Sequence, residues 1–246
     1  INTAIADGQT TAAEKKDVDD KYVLFNSAYA DFTAAVETAN KAIHDALKGY
    51  SEEALREAAA AMEAANAAAK SASEANNAVS NLNNYVDGAF ADGVISEAEA
   101  SAIEKYINTV NNAKAAVEAT YNKLYANTYL TGVAKTNLLN AKVTLMGSIE
   151  RLINAINTAI ADKLTTQDEK QAVDTEFAGF NSAYADFNTA VEEANKSIQD
   201  KLKSFADDAM KKALEALQDA ADAAKAAEKV NGDVSDLHEY VDGAFA

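Results

Sequence analysis

The strongest chemical pattern in the chain is the stretch Asp92-Gly93-Val94-Ile95-Ser96-Glu97-Ala98-Glu99. An aspartate, a glycine, an aliphatic residue and a closing glutamate stand at positions five, six, eight and twelve of an EF-hand loop, where carboxylate oxygens enclose calcium. The first half of the loop fails. Counting back, its first and third ligand positions fall on Gly88 and Phe90, and Asp87 sits one place out of frame. Asp7, Gly8 and Glu14 give the same half-match, with Thr3 and Ile5 at ligand positions, and a third occurrence has Lys163 in place of the glycine. A helix-closing glycine followed by a capping Ser or Thr and its reciprocal Glu explains every one of these residues without calcium.

The other chemistry-bearing residues are isolated. His44 and His238 align with Gln199 and Asn83 elsewhere in the chain, and neither has a second histidine or a cysteine at a metal-ligand spacing, so both read as surface residues. The carboxylate pairs Asp19 with Asp20, and Asp207 with Asp208, lie among lysines and alanines on helix faces that should be wet, where nothing marks one as acid and the other as base. Tyr22, Tyr29, Tyr85, Tyr106 and Tyr121 fall at stripe positions or beside helix ends, so packing explains them more simply than sugar binding. No phosphate-binding loop, dinucleotide fingerprint or nucleophile elbow occurs. The sequence therefore designates no catalytic residue, no cofactor-binding residue and no metal ligand, and the expectation is a chain that is not an enzyme and carries no cofactor.

The elements around these residues are helical. Val18, Tyr22, Phe25, Tyr29, Phe32, Val36, Ile43 and Leu47 follow steps of three and four, with Ala39 filling the gap, so they share one stripe of a helix. A second copy runs through Val173, Phe177, Phe180, Tyr184, Phe187, Val191, Ala194, Ile198 and Leu202. Proline is absent, glycine occurs only 9 times and alanine dominates the 48% apolar fraction, which suits long helices and disfavours strands. The net charge of -17 repels phosphate backbones and anionic head groups, so neither nucleic acid nor membrane is an expected partner. Without cysteine there are no disulfides or thiolate metal sites, and no apolar run is long enough for a membrane span.

The chain repeats itself. INTAIAD at positions 1–7 recurs at 156–162, an offset of 156 − 1 = 155, and the overlap then continues without a gap to the end. Roughly 50 of the 91 overlapping positions are identical, the mark of a tandem array. The spacing predicts an all-α protein of about six helices in long antiparallel hairpins, an elongated helical-bundle repeat with a 155-residue period. The first unit, 1–155, would hold helices at 12–48, 51–89, 96–126 and 134–162, and the partial second unit, 156–246, helices at 167–203 and 206–244. Gly49 is expected to end the first helix and Ser51 to cap the second. Folding about Tyr50 would place Phe32 opposite Ala68, an aromatic ridge on an alanine-rich face. In that second helix a heptad frame through Leu55, Met62, Ala69, Val79 and Val86 suggests a coiled-coil seam carrying Asn76 and its copy Asn231. The third helix is expected to carry Ile103, Tyr106, Val110, Ala113, Val117, Tyr121 and Leu124 on one face, and the fourth Leu139, Met146, Ile149, Ile153, Ile156 and Ile160 on one stripe.

The runs YVDGAFADGVISEAEASAIEKY, ATYNKLYANTYLTGVAKTNLLNAK and INTAIADKLTTQDEK resemble the helical repeat region of minor structural and tail-fibre proteins of phages and prophages of gut Bacteroidales. The resemblance covers essentially the whole chain and rests on turn and capping sequences with helical spacers between them. It implies a viral structural protein located in the virion, outside the cell, with this region as a stalk or spacer. Its partners would be other segments or subunits of the same assembly, and a homo-oligomer is compatible with the seams. The competing expectation is a surface adhesin or receptor-binding module that recognises a protein or glycan, for which the asparagine-rich stretch from Asn76 to Asn84 is the one candidate patch.

Overall fold

A computed structural model of the chain describes residues 11–244, so the half-match at Asp7 and Gly8 lies outside the described residues. The described chain is all-α: α1 (Ala12–Ala89), α2 (Glu97–Tyr125), α3 (Gly132–Ala159) and α4 (Gln167–Ala244). Its one extended feature among the described residues is an isolated antiparallel bridge between Val94 and Leu164.

Four helices stand where six were expected, because neither copy turns at its midpoint. α1 continues through Gly49 and α4 through Ser204, the same position one offset later, and each is 78 residues long. Gly49 stays outside the left-handed region, which among the described residues is adopted only by Gly93, Gly132 and Lys163. A glycine inside a helix costs only about 1 kcal/mol relative to alanine, and no proline forbids continuation. Lys48 also pairs with Glu52 one turn on, at 3.9 Å, and the Tyr50 ring meets the Phe205 ring edge-on at 6.1 Å. The expected opposition of Phe32 and Ala68 is therefore lost, since both lie on one continuous helix.

The chain forms two compact units that follow a different division from the repeat boundary at 155: unit 1 joins Ile1–Glu53 with Phe205–Ala246, and unit 2 is Ala54–Ser204. Unit 2 is a four-helix bundle made of 54–89 of α1, all of α2 and α3, and 167–204 of α4. Its core contains Val79, Leu82, Ile103, Val117, Leu145, Ile156, Phe180 and Phe187. Each such side chain contributes about 1.5–3 kcal/mol by leaving water.

The aromatic stripe of the second copy is buried here as its spacing predicts. Val173, Phe180, Phe187, Val191, Ala194, Ile198 and Leu202 are covered, with Phe177 and Tyr184 half-buried against them. The alanine-rich face meets it in the same buried cluster through Ala61, Ala65, Ala68, Ala72 and Ala75. Large and small side chains do share one core, but the ridge comes from the other copy. The buried frame of α1 in this unit runs through these alanines and on through Val79, Leu82 and Val86, so Val79 and Val86 of the expected heptad are buried while Leu55, Met62 and Ala69 are exposed. In α3 Met146, Ile149 and Ile156 are buried and Ile153 and Ile160 half-buried as the spacing predicts, but the face also takes in Leu138, Leu145 and Leu152 and leaves Leu139 39% exposed.

The described helical residues of unit 1 are 12–53 of α1 and 205–244 of α4, paired antiparallel. Lys15 reaches Asp242 at 2.5 Å, Tyr22 stacks on His238 at 3.9 Å between centroids, and Tyr50 meets Phe205. Val18 and Val241 form its buried apolar pair.

Candidate functional site

The motif with EF-hand character forms the loop between α1 and α2, and its relative around Asp162 forms the loop between α3 and α4. The Asp92 carboxylate accepts the Val94 backbone N–H at 3.0 Å, and Asp162 does the same for Leu164 at 3.0 Å. Left-handed residues follow both, Gly93 with φ +78° and Lys163 with φ +64°. Ser96 and Glu99 then close a reciprocal capping box: Glu99 accepts from the Ser96 backbone N–H at 2.9 Å and from its hydroxyl at 2.7 Å, while the Glu99 N–H donates to Oγ at 3.2 Å. Thr166 with Glu169 and Thr11 with Glu14 repeat it. The two loops are also tied together, Ile95 N–H donating to the Lys163 carbonyl at 2.8 Å and Thr165 N–H to that of Gly93 at 3.0 Å. The carboxylates that suggested calcium are engaged in ending and starting helices, and the twin loops form a clamp across one end of the bundle.

The described residues hold one gathering of ligand-type side chains, in unit 1. Oxygens of Asp19 and Asp242 and a ring nitrogen of His238 lie within 4.8 Å of one another. His238 Nε2 is 3.8 Å from Asp19 Oδ1 and 3.7 Å from Asp242 Oδ2, too long for hydrogen bonds but close enough for an ion pair when the ring is protonated. Its Nδ1 is buried without a partner. The cation already placed among these groups is the Lys15 ammonium, 2.5 Å from Asp242 and 3.4 Å from Asp19. Hydrogen bonding from Lys15 holds the Asp242 carboxyl below its usual range, and the same bond raises Lys15. A cavity of about 150 Å³ lined by Val18, Tyr22, Phe25, Val234, Leu237 and His238 adjoins the cluster.

What this cluster does is clearest from its counterpart in unit 2. Shifted by 155 positions, Lys15 becomes Lys170, Asp19 becomes Asp174, His238 becomes Asn83 and Asp242 becomes Asp87. Lys170 again reaches Asp87, at 3.8 Å, and Asn83 donates to Asp87 at 3.5 Å. The imidazole is replaced by an amide, yet the lysine–aspartate pair between the two helices remains. The conserved part of the arrangement is register-setting, a polar contact that specifies how the two helices align. His238, expected on the surface, is instead mostly covered beneath Tyr22, and its spacing of four from Asp242 was the available signal. His44 is exposed.

The remaining candidates divide between surface and core. Asp20 pairs with Lys16 at 2.7 Å and Asp207 and Asp208 are exposed, so neither carboxylate pair is enclosed. Tyr121 is buried, which pushes its hydroxyl above the ordinary value, and Tyr85 packs on Tyr106 with centroids 5.2 Å apart. Asn76 and Asn231 are half-buried, whereas Asn77, Asn81 and Asn84 face solvent. Sequence reasoning passed over Asn40 and Asn195, equivalent positions whose side-chain oxygens are both buried without a partner. No described helix is long and apolar enough to cross a membrane. No family model, curated protein or solved structure matches the chain.

Proposed function

We propose that the chain is a non-enzymatic repeat segment of a long structural protein, a helical spacer in a phage tail or virion fibre that sets the distance between domains at its ends. The observation that carries this reading is the pair of contacts related by the repeat offset, Lys170 with Asp87 and Lys15 with Asp242. In each, the N-terminal half of one copy pairs with the C-terminal half of the other. One pairing rule used twice is what a tandem array needs, since each new copy then adds the same interfaces and the same increment of stability. The twin loop clamp supports it too, because capping boxes with one shared design start α2 and stand ahead of α1 and α4. Partners in this reading are further segments or subunits of the same assembly, and the location is the virion.

The test is a series of chains carrying two, three and four tandem periods, labelled at both ends and measured for end-to-end distance alongside light-scattering mass. A spacer gains a constant distance per added period. A distance that stops growing as periods are added, or that falls, overturns the reading.

A further inference from the structure

The two helical pairs of this protein are equivalent in sequence and unequal in cover. In unit 2 the pair formed by 54–89 and 167–204 is overlaid by the hairpin of α2 and α3. In unit 1 the equivalent halves, 205–244 and 12–53, meet in the same register and lack that layer. The difference is legible residue by residue. Phe187 is 0% exposed and its equivalent Phe32 is 40%; Leu82 is 0% and Leu237 45%; Ala75 is 1% and Val230 51%. Tyr85 rests on Tyr106 of α2, while its equivalent Tyr240 is 77% exposed.

We infer that the open face of unit 1 is a docking surface for a helical hairpin of the α2–α3 type, supplied by a further copy of the repeat. The occupant follows from the offset: the positions that hold α2 and α3 in unit 2 recur in unit 1 with their apolar character kept. One departure adds specificity. Arg151 of α3 pairs with Glu176 at 3.0 Å, and the residue equivalent to Glu176 in unit 1 is Lys21. The hairpin that fits unit 1 best therefore carries an acidic residue where α3 has Arg151. This inference uses the offset and not the spacer reading, and its test reads protection rather than distance, so either can fail alone.

The experiment extends the full chain after Ala246 with a second copy of residues 92–160 and follows amide hydrogen exchange. In the unextended chain 12–53 and 205–244 should exchange faster than 167–204 and 54–89. The appended copy should slow them at least tenfold, to the rates of their unit 2 equivalents. Replacing Arg151→Glu in that copy should slow them further, and Ile103→Asp with Leu145→Asp in it should restore fast exchange. Unchanged exchange beside a helical appended copy overturns the inference. So does a concentration-dependent protection of the unextended chain with dimer mass, which would give the face to a second copy of itself. As an independent reading, the chain has no cysteine, so Tyr240→Cys and Tyr106→Cys in the appended copy form a unique pair. A short bifunctional thiol reagent should link them within one chain, and failure to link them also overturns it.

Discussion

Phe187 and Phe32 are the same residue at the same repeat position, and truncating each to alanine isolates the effect of cover. Phe187 is fully buried, so Phe187→Ala removes its transfer free energy and leaves a cavity, together about 3–5 kcal/mol. Phe32 is 40% exposed, so little cavity can form and only part of the ring leaves a dry environment. With full burial of such a side chain worth about 1.5–3 kcal/mol, Phe32→Ala should cost about 1–2 kcal/mol. Because the two units need not unfold together, a single melting curve would mix their responses. Native-state hydrogen exchange under increasing urea separates them, reporting 167–204 for the first variant and 12–53 for the second. Losses equal to within about 0.5 kcal/mol would refute the claim that the two stripes differ in cover, and with it the reason for an open docking face.

Three further outcomes follow from local geometry. Gly49 is helical with open space around its missing Cβ, so Gly49→Ala should stabilise unit 1 by about 0.5–1 kcal/mol in urea unfolding, whereas a helix-ending glycine would make the same change destabilising. Lys163 holds φ +64° in the loop that mirrors Gly93, so Lys163→Gly should stabilise by about 1 kcal/mol, less a few tenths for its exposed contact with Glu97, and a loss of stability would refute the strained turn. Lys15, Lys142 and Lys114 hold Asp242, Glu118 and Glu150 below their ordinary carboxylate values through hydrogen bonds. A carboxylate lowered in the folded state stabilises above its unfolded value, and that stabilisation is lost as pH falls through the folded value; Lys15, raised above 10.5, keeps its share until pH rises past that point. The stability gap between the unaltered chain and Asp242→Asn should therefore narrow from neutral pH to about pH 2, and a gap that stays constant would refute the pairing.

Helical class, the aromatic stripe of the second copy and the loop chemistry were legible because each is local. Steps of three and four put Phe180 and Phe187 on one face, and Ser96 with Glu99 or Thr166 with Glu169 need only three residues to define a cap. The missed points all required a partner or a comparison between copies. Gly49 looked like a stop, but Ser204 occupies that position in the other copy, where neither residue type nor a following proline favours a turn. A requirement shared by both copies would have been stronger evidence than one glycine. The α3 stripe differs at its start, where Leu138 is buried in place of Leu139, because the two are adjacent and either can start a periodic run, so only the neighbouring helices decide which is buried. His238 could be paired in the sequence only with Asp242, one turn away, since Asp19, which faces its ring, and Lys15, which bonds Asp242, lie more than 200 residues off in the sequence.

The first and second stripes carry nearly the same residues, and periodicity assigns both of them a buried face. In unit 2 that face is closed by α2 and α3; in unit 1 one helix covers it, and of the first stripe Val18 alone is buried. Hydrophobic periodicity thus specifies that a face needs a partner and leaves the number of partners open. The polar contacts carry the missing information. Lys15 with Asp242 and Lys170 with Asp87 mark the same antiparallel register in both units, with the covering hairpin in unit 2 and without it in unit 1. A pair aligned in this way presents the hairpin with one defined groove instead of a range of sliding alternatives. Changing Asp87→Asn together with Asp242→Asn removes the lysine–aspartate pair from both units. The expected effect is larger in unit 1, where no hairpin holds the helices, and spin-label distances across 12–53 and 205–244 should broaden while those across 54–89 and 167–204 stay narrow. Equal broadening in the two would mean that the hairpin contributes nothing to alignment, and the layered account of this fold would fail.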